Sequence, residues 1–496
     1  MSIKRQSAWN MAPQLVTAVT GFLSMPLFLR FLGDENYAVW NYAIIYAGVF
    51  GFADAGLGVA VGRFVGIALG RNDREAVRAY WGTGNAILLP FLVLAALTLV
   101  GTGFWLAPKW YNVHPDHVSV LRACVAATGF GLLFSYYSQY WNVLAQAHLD
   151  FRFIGTVQTA TALLRVVPGL LLAYALKNPF MVAAWYAVIS LVELVIFVQH
   201  GRNIYQLGLE ISAASSSRMR EMSSYFGKNL IGLVVGSTFG QIDRQILGKV
   251  APSTDFAHYT VAGNLSMRLQ GLSNAVMGPV FFNTARSAGG QQHASTATIY
   301  DEMFNFVLSW YLLAATWMAV WHPVFSHLWL VHTMGAERGE VVAAQVGPLL
   351  VPLVAACGFS AVANISAAQL ASLNRIGTAV WFSIAAGSLA IGAVWLGWRW
   401  YGVLGAAYGL LFSRLAFVAQ DLFTIRLIKS KGWLGWNAWK QVALQSLVAL
   451  LFSGCYFLLP RDSIWLLVPA VFHGGFVAVW LLRRQLFKMM GHCSNI

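Results

Sequence analysis

Charge is what this sequence has least of. Only 10% of its 496 residues are Asp, Glu, Lys or Arg, against 58% hydrophobic. A soluble domain carries about a quarter charged residues, so an ordinary soluble enzyme or binding domain is excluded. No stretch is both long and polar enough to be a separate soluble domain. Cysteine is scarce: Cys124, Cys357, Cys455 and Cys493, without Cys-x-x-Cys or Cys/His spacing. Neither a disulfide framework nor a metal site is expected. Phosphate-cradling Walker loops, zincin histidine pairs and nucleophile elbows are missing too, which leaves ATP-driven or hydrolytic chemistry without its residues. No catalytic residue and no cofactor is expected.

What the chain has instead is apolar runs. Hydrocarbon about 30 Å thick needs about 20 apolar residues in a helix. Runs of that length recur throughout, near 9–31, 37–67, 79–107, 118–145, 150–176, 179–200, 223–249, 254–285, 300–330, 341–373, 376–400, 401–428, 440–460 and 463–485. Only helices and closed barrels satisfy their backbone in lipid. Barrel strands read as short alternating segments, and these do not. The expected fold is all-α, with about fourteen transmembrane helices. The first run is too long for a signal-peptide core and lacks a cleavage signature, so it is expected to be retained. Pro108 and Pro115 in 108–117, and the Gly/Ser/Gln-rich 286–298, mark short loops.

The net charge of +14 invites a nucleic-acid reading, but the distribution of the cations argues against it. With both termini in the cytoplasm, nineteen of the 32 Lys and Arg fall inside and eight outside, the rest being within spans. The reverse orientation would break the positive-inside rule. The basic balance is therefore a topology signal, and no nucleic-acid partner is expected.

Two stretches repeat. Ala147-His148-Leu149-Asp150-Phe151-Arg152-Phe153-Ile154-Gly155-Thr156 is echoed by Ala371-Ser372-Leu373-Asn374-Arg375-Ile376-Gly377-Thr378. Tyr37-Ala38-Val39-Trp40 is echoed more weakly by Phe256-Ala257-His258-Tyr259. Six helices separate each pair, and an even number preserves direction through the membrane. The chain is expected to form two parallel six-helix lobes, 1–205 and 206–432, followed by a helix pair and tail, 433–496. Transporters with parallel repeats place their site between the halves, near mid-depth.

A charge in a span is costly and points by default into a protein interior or wet cavity. With the cations near span ends counted with the loops, Arg63, Arg165, Arg244, Arg268 and Arg414 are the ones assigned to spans, and no lysine is among them. Arginine stays protonated and presents a planar fork to phosphate or carboxylate oxygens, so an all-arginine set suggests an anionic ligand. Four acids accompany them: Asp54, Glu193, Asp243 and Asp421. They are candidates for binding a coupling proton or Na⁺, with Asp54 first, or fixed partners of the arginines. Ser135, Gln139, Asn142 and Gln146 share one helical face, flanked by Tyr136, Tyr137, Tyr140 and Trp141. Asn229, Gly232, Gly236, Gly240 and Asp243 share another. Such faces either line a sugar pathway, with Gln139 and Asn142 meeting hydroxyls, or make interhelical hydrogen bonds. The ladder Gly58, Gly62, Gly66, Gly70 reads as close helix packing or a hinge.

The run Leu32-Gly33-Asp34-Glu35-Asn36-Tyr37, then Phe52-Ala53-Asp54-Ala55-Gly56-Leu57-Gly58 leading to Arg63, resembles the opening of the polysaccharide-transporter family. This is the Wzx-type oligosaccharide flippase branch of the multidrug/oligosaccharidyl-lipid/polysaccharide exporter superfamily. Gln241-Ile242-Asp243-Arg244-Gln245-Ile246-Leu247-Gly248, with Tyr259 after it, resembles the start of that family's second half. Leu144-Ala145-Gln146-Ala147 and Gln369-Leu370-Ala371 resemble its helix-four and helix-ten ends. Ala38 stands where the family often has glycine. The resemblance implies export of a polyprenyl-diphosphate-linked oligosaccharide across a bacterial inner membrane by alternating access, for surface polysaccharide such as O-antigen or exopolysaccharide. The diphosphate would suit the arginine-bearing cavity, and the last two helices would contact the lipid tail. Glycosyltransferases and a polysaccharide polymerase are the implied partners.

Two rivals differ in sequence. A drug/cation antiporter of the same superfamily usually stops at twelve helices and wants an acidic cavity. A membrane glycosyltransferase using a lipid-phosphate donor would use an acidic pair such as Asp34-Glu35 for metal, yet the second helix begins at once near Tyr37 and no large outer domain follows.

Overall fold

A computed structural model describes residues 3–54, 57–148, 150–267, 296–372 and 375–430, together with 440, 443–444, 446–452, 470 and 473. Among the described residues there is no strand. The chain divides into two compact units, Met1–Ala257 and His258–Ile496. The first holds α1 (Ile3–Leu32), α2 (Asp34–Gly48), α3 (Leu57–Gly70), α4 (Arg74–Trp110), α5 (Val118–Ala147), α6 (Phe151–Leu176), α7 (Pro179–Ile204), α8 (Ser216–Phe239) and α9 (Ile242–Val250). Helix α10, over 253–267, contains the boundary. The second holds α11 (Thr296–Met334), α12 (Ala336–Ser372), α13 (Ile376–Ser413) and α14 (Leu415–Ile428).

Among the described residues, eight segments are long and apolar enough to cross a bilayer. The last, Gly377–Ile428, doubles back at Tyr401–Gly402, where Gly402 takes a φ of 60°, and so holds two crossings. The protein is a multi-pass membrane protein. Exposed Trp381 and Trp400 stand at the two ends of one leg of α13. At 1.5 Å per residue they are about 28 Å apart, close to the thickness of the hydrocarbon layer, as expected of an aromatic belt.

Helix starts follow local chemistry. Asp73 accepts from the Ala76 amide at 2.9 Å, and Asn178 from Phe180 at 2.9 Å with Pro179 opening α7. Such caps satisfy amides that have no partner in the first turn. Small residues then let helices touch. Gly58 and Gly62 of α3 abut Val143 of α5, whereas Gly66 faces open space. In α13 the two legs meet backbone to backbone: a Cβ on Gly405 would strike the Gly397 carbonyl, and one on Gly409 the Ala393 carbonyl. The order of neighbours recurs within the two units. Helix α5 packs on α4 and α7 with α6–α7 as a hairpin; α12 packs on α11 and α14 with α13 as the hairpin.

Three expected spans are interrupted. The run 37–67 is α2 and α3 separated by a 3-10 turn, Val49–Asp54. The run 223–249 ends as a helix at Phe239 and resumes at Ile242. The polar face drawn through Asn229, Gly236 and Gly240 therefore stops there, and Asp243 belongs to α9. The run 401–428 has a one-residue hitch at Arg414, whose amide turns back to Leu411 and Phe412. Helices α8 and α9 come after the lobe boundary expected at 205/206 and pack within the first unit, α8 against the Val49–Asp54 turn and α9 against α2. Described residues of the C-terminal helices pack on α11: Trp317 Nε1 donates to the Ala470 carbonyl (2.9 Å), and Trp321 Nε1 to His473 Nδ1 (3.1 Å).

Candidate functional site

The charges that stand out in the sequence gather at the interruptions. Asp54 ends the 3-10 turn, Asp243 and Arg244 open α9, and Arg414 sits at the hitch between α13 and α14. An unwound backbone at membrane depth needs partners for its amides and carbonyls, and is tolerated only inside protein or at a wet cavity. Glycine explains two breaks locally, with Gly51 in the first and Gly240 in the second. An acid in the first turn of α9 also faces the positive end of that helix's dipole.

Asp243 and Arg244 are both 5% exposed, and Arg414 is buried with its guanidinium over the Phe417 ring, 5.3 Å from the centroid. Asp421 is buried on α14 and accepts from Ser366 Oγ at 2.6 Å, which shares a 2.7 Å hydrogen bond with the Tyr300 hydroxyl. This chain ties α14, α12 and α11 together. Arg165 on α6 donates through Nη2 to Glu193 on α7 at 2.6 Å and to Ser190 Oγ at 3.3 Å. Its side chain keeps 28% exposure, the carboxylate only 4%, and Arg165 Nε is buried without an acceptor. This pair joins one of the predicted span arginines to one of the predicted span acids. The side chains of Asp54 and Arg63 are not among those described, and Arg268 lies outside the described residues.

The amide stripe on α5 turns inward on itself. Asn142 Nδ2 donates to Gln139 Oε1 at 3.1 Å, and Gln146 to Asn142 at 3.5 Å. The flanking rings are core rather than free platforms. Tyr137 donates to Asn85 (2.9 Å), Tyr140 to the Trp81 carbonyl (3.2 Å), and Tyr140 stacks on Trp81 at 4.3 Å.

Other polar residues have roles that span-counting does not reveal. Asp150 caps α6 through the Phe153 amide (3.3 Å) while its other oxygen accepts from His200 (2.9 Å) and Tyr205 (3.1 Å). Burial, and then the Asp150 charge, pushes the Tyr205 phenol well above its ordinary range, so it remains a donor. From Tyr205 the chain is strapped along α4: Trp81 Nε1 holds the Gly208 carbonyl (2.8 Å), Asn85 holds Leu209 (3.0 Å), and the Ser215 amide donates to Thr83 (3.1 Å). Arg218 then lies over the Tyr80 ring, whose hydroxyl donates to Glu221. An Asp before a helical run is the available signal for Asp150.

At the opposite end, the one predicted to face outward, α9 locks onto α2. Gln245 accepts from the Tyr111 hydroxyl (2.7 Å) and donates to the Ile45 carbonyl (3.0 Å). Tyr42 stacks between Tyr111 (4.7 Å) and Phe256 (4.4 Å), and Gly248 leaves room for both tyrosines. The Asn112 amide donates to the Gly248 carbonyl at 2.8 Å.

Comparison with known proteins agrees with this architecture. The family model described as "Polysaccharide biosynthesis protein" matches residues 3–284. Among curated proteins, none matches the sequence significantly. Among solved structures, "Lipid II flippase MurJ, inward closed conformation" superposes with a TM-score of 0.71 at 11% identity, covering 97% of this chain and 99% of that one. An inward-facing multidrug resistance MATE family transporter of the MOP superfamily gives 0.66 at 14% identity, covering 85% and 98%. A mutant of the Vibrio cholerae MATE transporter VcmN gives 0.58 at 14%, covering 88% and 98%. At these identities the likeness is one of fold. The family match covers more than half the chain and includes the motifs at 32–63 and 241–248, so the chain belongs to the polysaccharide biosynthesis protein family, with a fold like that of the MurJ and MATE structures.

Proposed function

We propose that this chain is a flippase that carries a polyprenyl-diphosphate-linked oligosaccharide from the inner to the outer leaflet by alternating access. It works between lobes 1–205 and 206–432, with 433–496 as accessory helices. The supporting observation is the coincidence of charge with broken spans at Asp54, Asp243–Arg244 and Arg414, in a chain of a polysaccharide biosynthesis family. Arginine forks at such breaks suit a diphosphate, and Arg63, Arg165 and Arg268 are assigned to the same path. The MurJ structure, by its name, is that of a lipid II flippase. A similar amphiphile with one charged head and a long apolar tail is the substrate class read here. The cation bias favours both termini in the cytoplasm of a bacterial inner membrane. The sugar donors and consumers on either side would be glycosyltransferases and a polymerase.

Arg244→Ala and Arg414→Ala test this. Each is expected to abolish export, so that surface glycan is lost and lipid-linked oligosaccharide accumulates on the cytoplasmic side, while the protein still inserts. Normal surface glycan in both variants would remove the diphosphate reading. Lysine at either position should rescue only in part, because a point charge does not replace a two-pronged contact.

A further inference from the structure

A cavity of about 390 Å³ opens where the α1–α2 turn meets the α6–α7 turn, lined by Arg30, Phe31, Leu32, Gly33, Tyr174 and Lys177. Its two walls are stitched together. Asn36 Nδ2 on α2 donates to the Leu32 carbonyl (3.2 Å) and to the Lys177 carbonyl (3.3 Å). Arg30 comes from the last turn of α1 and Lys177 from the end of α6, and both are exposed. Phe31 meets Tyr174 edge-on at 5.2 Å. From Tyr174 an exposed apolar stripe runs down α6 through Leu171, Val167 and Leu164. Two cations thus converge at one end of a lipid-facing strip.

The location makes this unusual. In the orientation proposed above, Arg30 and Lys177 lie on the outer side, where cations are depleted. Two of the few line one cavity. The nearby acids open α2: Glu35 is engaged by His117 at 3.7 Å, and Asp34 lies beside it in the first turn. An aqueous anion would gain nothing from the exposed stripe. A polar head bearing phosphate, with methylenes attached, uses both features.

We propose that this cavity binds the phosphate of an anionic lipid in the outer leaflet, the head between Arg30 and Lys177 and the chain along Tyr174 and Leu171. It takes from the functional reading only the orientation and not the transport. The test is native mass spectrometry of the full chain with phosphatidylglycerol, phosphatidylcholine and inorganic phosphate as separate probes. Wild type is expected to retain phosphatidylglycerol over phosphatidylcholine. Arg30→Gln with Lys177→Asn should weaken that retention about tenfold, and Asp34→Asn should strengthen it. Asparagine is chosen because Lys177 has a φ of 50°, a conformation asparagine tolerates. Equal retention by wild type and the double variant overturns the site, as does inorganic phosphate displacing the lipid at equal concentration. Should the double variant fail to fold, Lys177→Asn alone decides by the same comparison. Labelling of Lys177→Cys by an impermeant thiol reagent checks the orientation separately.

Discussion

Arg165 and Glu193 show what a residue name can and cannot reveal. Both are visible as charges in apolar spans, because each is costly there. Their partnership is not visible, since the two sit 28 residues apart on different helices. Removing Arg165 leaves Glu193 buried and without its cation, a loss of about 3–5 kcal/mol, whereas removing Glu193 costs less, because Arg165 is partly exposed and keeps Ser190. Arg165→Ala and Glu193→Ala should each lower the melting temperature in detergent. Arg165→Met combined with Glu193→Leu should recover most of that loss, because hydrophobic replacement of a buried pair is often neutral. Export is expected to stay lost in the stable double variant, since the remaining guanidinium nitrogens of Arg165 are assigned to substrate. Restored export would make the pair purely structural. The stripe Gln139–Asn142 carries the opposite lesson. Its face is legible from spacing, but its hydrogen bonds run along its own helix, which spacing alone does not distinguish from contacts with a neighbour or a sugar.

At the scale of elements, the long helices and the hairpin near 400/401 are legible because hydropathy and length report lipid burial directly. The breaks are not. Val49–Asp54 is nearly as apolar as the helices around it, and hydropathy does not register a lost backbone hydrogen bond. Helix contact depends on glycine in the same hidden way, and two substitutions separate its uses. Gly405→Ala drives a methyl into the Gly397 backbone, which cannot rotate aside as a side chain would. It should destabilise by about 1–3 kcal/mol, the usual range for overpacking, seen as a lower melting temperature. Gly66→Ala meets open space and replaces the most flexible residue in a helix. It should stabilise by about 0.5–1 kcal/mol. If both behave alike, the hairpin contact is not as close as the backbone geometry gives it.

At the scale of the molecule, transport requires that one side open as the other closes. The cluster of Tyr42, Tyr111, Gln245 and Phe256 joins α2 and the end of α4 to α9 and α10 within the first unit, at the end predicted to face outward. In the proposed alternating-access cycle these contacts would have to part to release substrate outward. Gln245 is the vulnerable point, because its amide satisfies both a buried phenol and a helix carbonyl. Gln245→Ala leaves two polar groups unpaired in the closed state, at about 1–3 kcal/mol each. In an outward-open state those groups would meet water, so the substitution should shift the population by about tenfold or more toward opening. Ser237 sits beside Gly51, at the first interrupted span, and reports on access to that depth. With the four native cysteines replaced by serine, Ser237→Cys should resist an impermeant thiol reagent added outside. Adding Gln245→Ala should make it react. Protection that persists in the double variant would mean that this cluster braces the first unit and that the outer gate lies elsewhere.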